Sequence, residues 1–388
     1  MVRKAAVAAA LLALAVAGAL ASMGGAQGPA QALPTVPAGF DLAVVASVPA
    51  ARQLAVAPNG DLFVGTWGKS IYVVAHPEGD PAPPAVFASI GDAPVQSVAF
   101  GRATLYAGGQ FGVWAVPYGD GDLRARGAAV KIAAVRTAGG QRDHLSTSLT
   151  FSGGRLYASV GSSCDACSPE LDPTRATIQE IGPDGSAMHA KAVGVRNAVA
   201  LGVDPGTGAV WAGVAGQDAL PHGHPYEIFD AVTAHEGVAD YGWPRCYDEH
   251  VPVTAGTDCS HQALPLAVFP AYATPIGIAF YPHATGRYAF GQHYEGGAFV
   301  TLHGSWHLPP VAPLVAFVPM TGGRPTTPLD WNDPAAQWRP FVDGFAKESG
   351  RRIGRPTGIA VGTEGSLFVA DDTAGVIYRI RPRSVPTP

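Results

Sequence analysis

One strand–turn–strand pattern recurs six times along this 388-residue chain, at residues 52–64, 95–108, 145–160, 197–213, 276–291 and 355–370. Each copy joins two runs of β-branched, aromatic or small apolar residues. The joining turns carry Asn59-Gly60 in the first copy, Ser152-Gly153-Gly154 in the third and Asp204-Pro205-Gly206-Thr207-Gly208 in the fourth. The fifth turns between Pro282 and Gly286, and the sixth at Thr363-Glu364-Gly365. Glycine supplies the positive φ of a tight hairpin, so each copy reads as a β-hairpin. Spacings of roughly 45 to 80 residues leave room in each repeat for two more strands, and Val376 to Ile380 supplies one after the sixth copy. The pattern predicts an all-β chain, a six-bladed β-propeller of four-stranded antiparallel blades. A sandwich or barrel also has many short strands but does not repeat one hairpin six times. Long insertions, 217–272 and 308–354, fall between the last three copies, and loops of that length carry function or cover a site.

The ends and the composition set the surroundings. Met1-Val2-Arg3-Lys4 leads into an apolar run and the small tripeptide Ala19-Leu20-Ala21, the form of a secretory signal over residues 1–21. Its apolar core is short for a membrane span, so no stable membrane insertion is expected once it is cleaved. Residues 22–38 read as a disordered Pro/Ala-rich lead and 39–382 as the catalytic propeller. A net charge of −5 with no basic block makes nucleic acid an unsuitable partner. The four cysteines, Cys164, Cys167, Cys246 and Cys259, are even in number in a chain expected to reach the periplasm or the medium. Ser168 follows Cys167 where covalent haem attachment needs His, and no second close pair completes a zinc site, so two local disulfides are expected.

In a propeller, residues at one phase of the repeat converge at the channel. With the copies aligned on Leu54, Val98, Leu149, Leu201, Ile278 and Ile359, Asn197 and Arg355 fall four positions before their anchors. His144 and Arg196 fall five before. One rim therefore gathers a His, two Arg and an Asn, a site for an anionic or carbonyl-rich ligand with a base beside it. Asp143 precedes His144 and is placed to orient it. His222-Gly223-His224 offers two imidazoles suited to a transition metal, although paired His in a Pro/Gly-rich loop are commonly just exposed.

The series Asp143-His144, Arg196-Asn197, Tyr241-Gly242-Trp243-Pro244, His303-Gly304-Ser305-Trp306, Gly354-Arg355-Pro356 and Asp371-Asp372 resembles the soluble PQQ-dependent sugar dehydrogenases, the glucose/sorbosone dehydrogenase family. The sorbosone-type branch is the most similar, and Ser162-Ser163-Cys164-Asp165-Ala166-Cys167 resembles its cysteine loop. The resemblance implies a six-bladed propeller with pyrroloquinoline quinone (PQQ) over the channel and calcium beneath it. It implies His144 as general base toward a sugar hydroxyl, and Arg196, Asn197 and Arg355 as holders of the quinone and its carboxylates. It implies a calcium site formed by carbonyls of Gly216 and Gln217, with Glu227 and Tyr241 beside it. A small sugar substrate and a diffusible electron acceptor follow. Two departures stand out: His222-Gly223-His224 where relatives have an acidic pair, and His307-Leu308 where they have Asn-Arg.

Two other readings use the same fold. A propeller with a channel metal can be a lactonase or esterase, which would gather acidic and amide ligands where this chain gathers cations. A propeller can also serve as a binding module without catalysis.

Overall fold

Six hairpins form the inner pairs of six blades in the computed structural model, which describes residues 32–101, 103–136, 144–283, 286–308 and 310–383. In chain order, blades one to three begin with Ala51–Val56 and Leu62–Thr66, Ser97–Gly101 and Thr104–Gly109, and Thr147–Ser152 and Arg155–Val160. Blades four to six begin with Asn197–Val203 and Val210–Ala215, Pro275–Phe280 and Ala298–Leu302, and Pro356–Val361 and Leu367–Asp371. Two outer strands complete each antiparallel sheet, and the fold is a six-bladed β-propeller. Blade three gains a short fifth strand, Ala239–Asp240, parallel to His189–Val193. Phe40–Ser47 closes the ring as the outer strand of blade six, pairing antiparallel with Val376–Pro382 from Phe40↔Pro382 to Ser47↔Val376.

The turn chemistry is as the sequence requires. Gly60 has φ 90°, and Gly153 and Gly154 have φ 57° and 79°, values at which a side chain is strained. Glycine also sets how closely the inner strands approach. A Cβ on Gly358 would collide with the carbonyl oxygen of Arg52, and one on Gly277 with that of Thr357.

The core is divided among the six gaps between neighbouring blades, one apolar cluster to each gap. The gap between blades five and six is the most aromatic, with Phe40, Phe290, Phe299, Phe317, Phe341 and Tyr281 packed together. Phe299 is fully buried, with ring centroids 4.7 Å from Phe341 and 4.9 Å from Phe317.

Three features depart from the sequence reading. The fifth repeat does not return along 287–291: Tyr288 N–H bonds the Glu364 carbonyl at 2.7 Å, and the return strand is Ala298–Leu302. The detour buries Phe290, whose N–H donates to the Tyr281 hydroxyl at 2.6 Å, and this burial outweighs the turn signal at 282–286. The two long insertions are only partly loops. Glu227–Asp230 and Ala267–Phe269 are the outer strands of blade four, and Leu314–Val318 and Arg339–Val342 those of blade five. Part of the stretch read as a lead is also fixed, because Thr35 exchanges backbone bonds of 2.9 and 3.0 Å with Asp343. The expected signal segment lies outside the described residues. Both local disulfides, Cys164–Cys167 and Cys246–Cys259, are formed.

The aromatic gap yields a direct test. Phe299→Ala leaves a cavity among rings that cannot collapse into it, and unfolding by denaturant should show a loss of about 3–5 kcal/mol. A loss below about 1 kcal/mol would mean that this gap does not hold blades five and six together.

Candidate active site

All six inner strands run the same way through the ring, so their two ends open onto different cavities. The anchors Leu54, Val98, Leu149, Leu201, Ile278 and Ile359 all line one cavity of about 430 Å³ at the exit end. The Gln53 side chain forms its floor, crossing the channel to the carbonyls of Ile276 and Val199. At the entry end lies a second cavity of about 300 Å³, lined by residues of blades three to six. It brings together His144, Arg196, Asn197, Gly216, Glu227 and Arg355. Asp143 lies outside the described residues.

His144 sits just before the inner strand of blade three, and its Nδ1 is 3.0 Å from both the carbonyl and the hydroxyl oxygen of Ser162. The Ser162 hydroxyl donates to the Cys164 carbonyl at 2.6 Å. Its proton is thus committed, and a carbonyl can only accept, so Nδ1 carries the hydrogen and the lone pair of the neutral ring is on Nε2. Gly161 makes this placement possible: a Cβ there would lie 2.5 Å from the His144 Cβ and 2.7 Å from the Asn197 Oδ1. The buried Arg136 guanidinium donates to the carbonyls of His144 and Ser146, fixing the segment that carries the ring.

Arg196 and Asn197 open the inner strand of blade four. Arg196 is buried, with Nη2 2.9 Å from Asp165 and 3.3 Å from Asp218. Its Nε is buried with no hydrogen-bond partner among the described residues. Burial raises the Asp218 carboxyl, against the opposing pull of Arg196. Asn197 Oδ1 accepts from Ser146 Oγ at 3.4 Å.

Arg355 precedes the inner strand of blade six, and its partners are neutral. Nε donates to the His303 carbonyl at 3.2 Å, and Nη2 to the Gly304 carbonyl at 2.7 Å and to His303 Nδ1 at 2.6 Å. Burial pulls its pKa down to about 10, with Asp372 resisting. Burial also pushes the His303 imidazole down to about 4, despite its bond to Asp372. Arg352, which the repeat phase did not select, lines the same cavity and donates to the Ser305 carbonyl. At the mouth Trp306 is 76% exposed and stacks on His307, which in turn stacks on Tyr272 with centroids 3.8 Å apart.

The residues expected around calcium fall into two adjoining groups, Gly216 and Glu227 in this cavity and Gly216, Gln217 and Tyr241 along a neighbouring pocket that Arg196 also lines. Glu227 lines the cavity, but its two oxygens accept the N–H groups of Gly216 and Tyr272, each at 2.9 Å, and burial pushes its pKa up to about 8. Gly216 lines the cavity and Gln217 does not. Tyr241 lines the neighbouring pocket with Gln217, while its hydroxyl donates to Asp230 at 2.5 Å in the core between blades three and four. His222 and His224 have different partners: His222 faces Tyr272, and His224 bonds Asp248 at 2.5 Å. No three potential ligand side chains converge among the described residues. The donor set therefore suits an anionic, carbonyl-rich ring, through Arg355, Arg352 and the orphaned Arg196 Nε. It makes no side-chain cage for calcium, which would depend on backbone carbonyls and on oxygens of the ligand itself.

The sequence reading missed Gly161, Asp218 and Arg352, and quoted Ser162, Asp165 and His303 only as parts of motifs, with no role assigned. Arg352 was within reach, since it stands three residues before Arg355 in one basic run. The convergence of the two aspartates had no signal, because they reach Arg196 from separate loops.

Comparison with known proteins agrees with this architecture. A family model described as TrAA12-like matches residues 248–383. A protein of Borreliella burgdorferi described as uncharacterized is 25% identical over 234 residues, 58% of this chain and 57% of its own length. Thus the chain spans little more than half of that relative. The holo pyranose dehydrogenase PQQ domain of Coprinopsis cinerea superposes with a TM-score of 0.75 at 17% identity, covering 90% of this chain and 97% of the domain. The calcium structure of the Trichoderma reesei carbohydrate-active enzyme of family AA12 gives 0.75 at 20% identity, with coverage of 90% and 97%. The PQQ-bound aldose sugar dehydrogenase of Streptomyces coelicolor gives 0.59 at 18%, with coverage of 90% and 100%. At these identities the likeness is one of fold.

The His303 shift sets a pH dependence. An unfolded histidine takes up its proton near pH 6.5 and the folded one near 4, so stability from this group is intact above pH 6.5 and is lost as pH falls to about 4. Between pH 7 and 4.5 the wild type should lose about 2–3 kcal/mol more than His303→Gln, read from urea midpoints. Equal losses would show that His303 titrates normally.

Proposed function

We propose that this chain is an exported quinoprotein dehydrogenase that oxidises an aldose or related sugar at its hemiacetal or aldehyde carbon. The observation that carries this reading is His144, held in the Nδ1–H form, in one channel-end cavity with Arg196, Arg352 and Arg355. Arg355 and Arg352 would hold the carboxylates of PQQ, and the Nε of Arg196 a carbonyl oxygen, since a guanidinium pairs well with planar oxygen groups. When bound, that cofactor supplies the hydride acceptor and the route for electrons to a diffusible acceptor. Calcium, if required, belongs on the Gly216 side.

The protein's own part is proton transfer and positioning. His144 Nε2 takes the proton from the sugar hydroxyl as the adjacent C–H bond gives up its hydride. The bond from Nδ1 to the Ser162 carbonyl steadies the imidazolium that results. Asp143 would add to this orientation. Trp306 offers an exposed aromatic face at the mouth, on which the apolar face of a sugar ring can rest. The two disulfides accord with an oxidising compartment, periplasmic or extracellular.

Apo-protein reconstituted with PQQ and calcium should oxidise aldoses with an artificial acceptor, and His144→Ala should lower kcat by about 10²–10⁴-fold with cofactor affinity little changed. Absence of a PQQ-dependent thermal shift at micromolar cofactor would overturn the assignment. Hydrolysis of a lactone panel without PQQ would put the hydrolase reading in its place.

A further inference from the structure

Arg355 is held by a chain of groups that crosses the seam of the ring. Asp372, in the turn after the second strand of blade six, accepts two hydrogen bonds on Oδ2. One is from Arg52 Nη1 of blade one at 2.9 Å, and the other from His303 Nε2 of blade five at 3.0 Å. Arg52 and His303 are both buried. Asp371 beside it does a different job, accepting the N–H groups of Arg355, Thr373 and Ala374 and so fixing the turn.

A carboxylate has no hydrogen to give at neutral pH, so the imidazole must place its hydrogen on Nε2 and leave Nδ1 as an acceptor. Arg355 Nη2 sits 2.6 Å from that Nδ1, and a guanidinium can only donate. The opposite tautomer, or a protonated ring, would set N–H against N–H. With Nε and Nη2 thus engaged, Nη1 is the nitrogen of Arg355 with no protein partner among the described residues, in a side chain that lines the cavity.

We infer that Asp372 is a positioning residue for Arg355, acting through the neutral Nε2–H tautomer of His303 so that Arg355 presents one edge to an anionic ligand. The ligand-binding role of Arg355 rests on the function proposed above; the positioning does not. Arg52, Arg352 and Asp371 are the other charged groups that bear on this arginine. Arg52 offsets the Asp372 charge, so the chain leaves Arg355 fixed without neutralising it.

The test uses full-length apo-protein with ¹⁵N-labelled histidine and arginine. In the wild type the His303 ring should show the Nε2–H pattern from pH 5 to 8, and the Arg355 Nε–H should exchange slowly with solvent. In Asp372→Ala the ring should shift to the Nδ1–H or an averaged pattern, and exchange should quicken at least tenfold. The PQQ dissociation constant, measured by fluorescence titration, should rise about tenfold. If the single variant does not fold, Arg52→Met with Asp372→Ala removes the carboxylate without leaving an unpaired buried cation, and the same three readings apply. An Nδ1–H tautomer in the wild type, or unchanged Arg355 exchange in the variant, overturns the inference. Unchanged PQQ affinity alongside altered exchange also overturns it, because Arg355 would then be positioned for nothing that binds. If the wild type binds no PQQ, the cofactor reading fails, and tautomer and exchange still decide whether Asp372 positions Arg355.

Discussion

Ring closure is the constraint on which everything else depends. A propeller blade is apolar on both faces and buries them only against two neighbours, so an open ring would expose two apolar surfaces. Here the seam is shut by pairing Phe40–Ser47 with Val376–Pro382, which places Phe40 in the aromatic gap between blades five and six. Polar bonds reinforce the other side of blade six. The Glu78 carboxylate accepts the N–H groups of Glu364 and Ser366 at 2.7 and 2.8 Å, and Arg379 donates to the Pro77 carbonyl at 2.8 Å. The chain from Arg52 through Asp372 and His303 to Arg355 crosses the same seam. Closure and assembly of the cavity are therefore one event.

What the sequence disclosed and what it withheld follow from how local each signal is. Hairpins are local, so the strands and glycine-bearing turns of blades one, three, four and six could be read directly. Alignment of the copies also placed His144, Arg196, Asn197 and Arg355 at one end, because phase in a repeat is a local property that symmetry turns into a spatial one. The fifth hairpin misled because its turn signal opens a detour whose benefit, burial of Phe290, comes from a neighbouring blade. The partners of the candidate site were hidden for the same reason. Asp165 and Asp218 meet at Arg196 from loops 53 residues apart, and no periodicity relates them. Motif resemblance put Tyr241 near Gly216 and Gln217, with which it shares a pocket, but not the commitment of its hydroxyl to buried Asp230.

The two arginines that the repeat placed together are held by opposite means, and the difference gives the cavity its polarity. Arg196 is clasped by two carboxylates, so with both ionised its cluster carries a net negative charge. Glu227 beside it adds little below about pH 8, because burial keeps it protonated. Arg355 is gripped by two carbonyls and a neutral ring nitrogen; of the two nearby carboxylates, Asp372 is already offset by Arg52, and Asp371 is taken up by backbone N–H groups while burial raises its pKa. With Arg352 at the same edge, the side formed by blades five and six is positive, while the side formed by blade four is not. In a part-buried cavity such a difference is screened far less than on the surface. A planar ligand with anionic groups is thereby oriented as well as attracted, its negative edge toward Arg352 and Arg355. Gly216 lies on the other side, where a cation would meet less repulsion. Had Arg355 been neutralised as Arg196 is, the cavity would keep its shape and lose that direction.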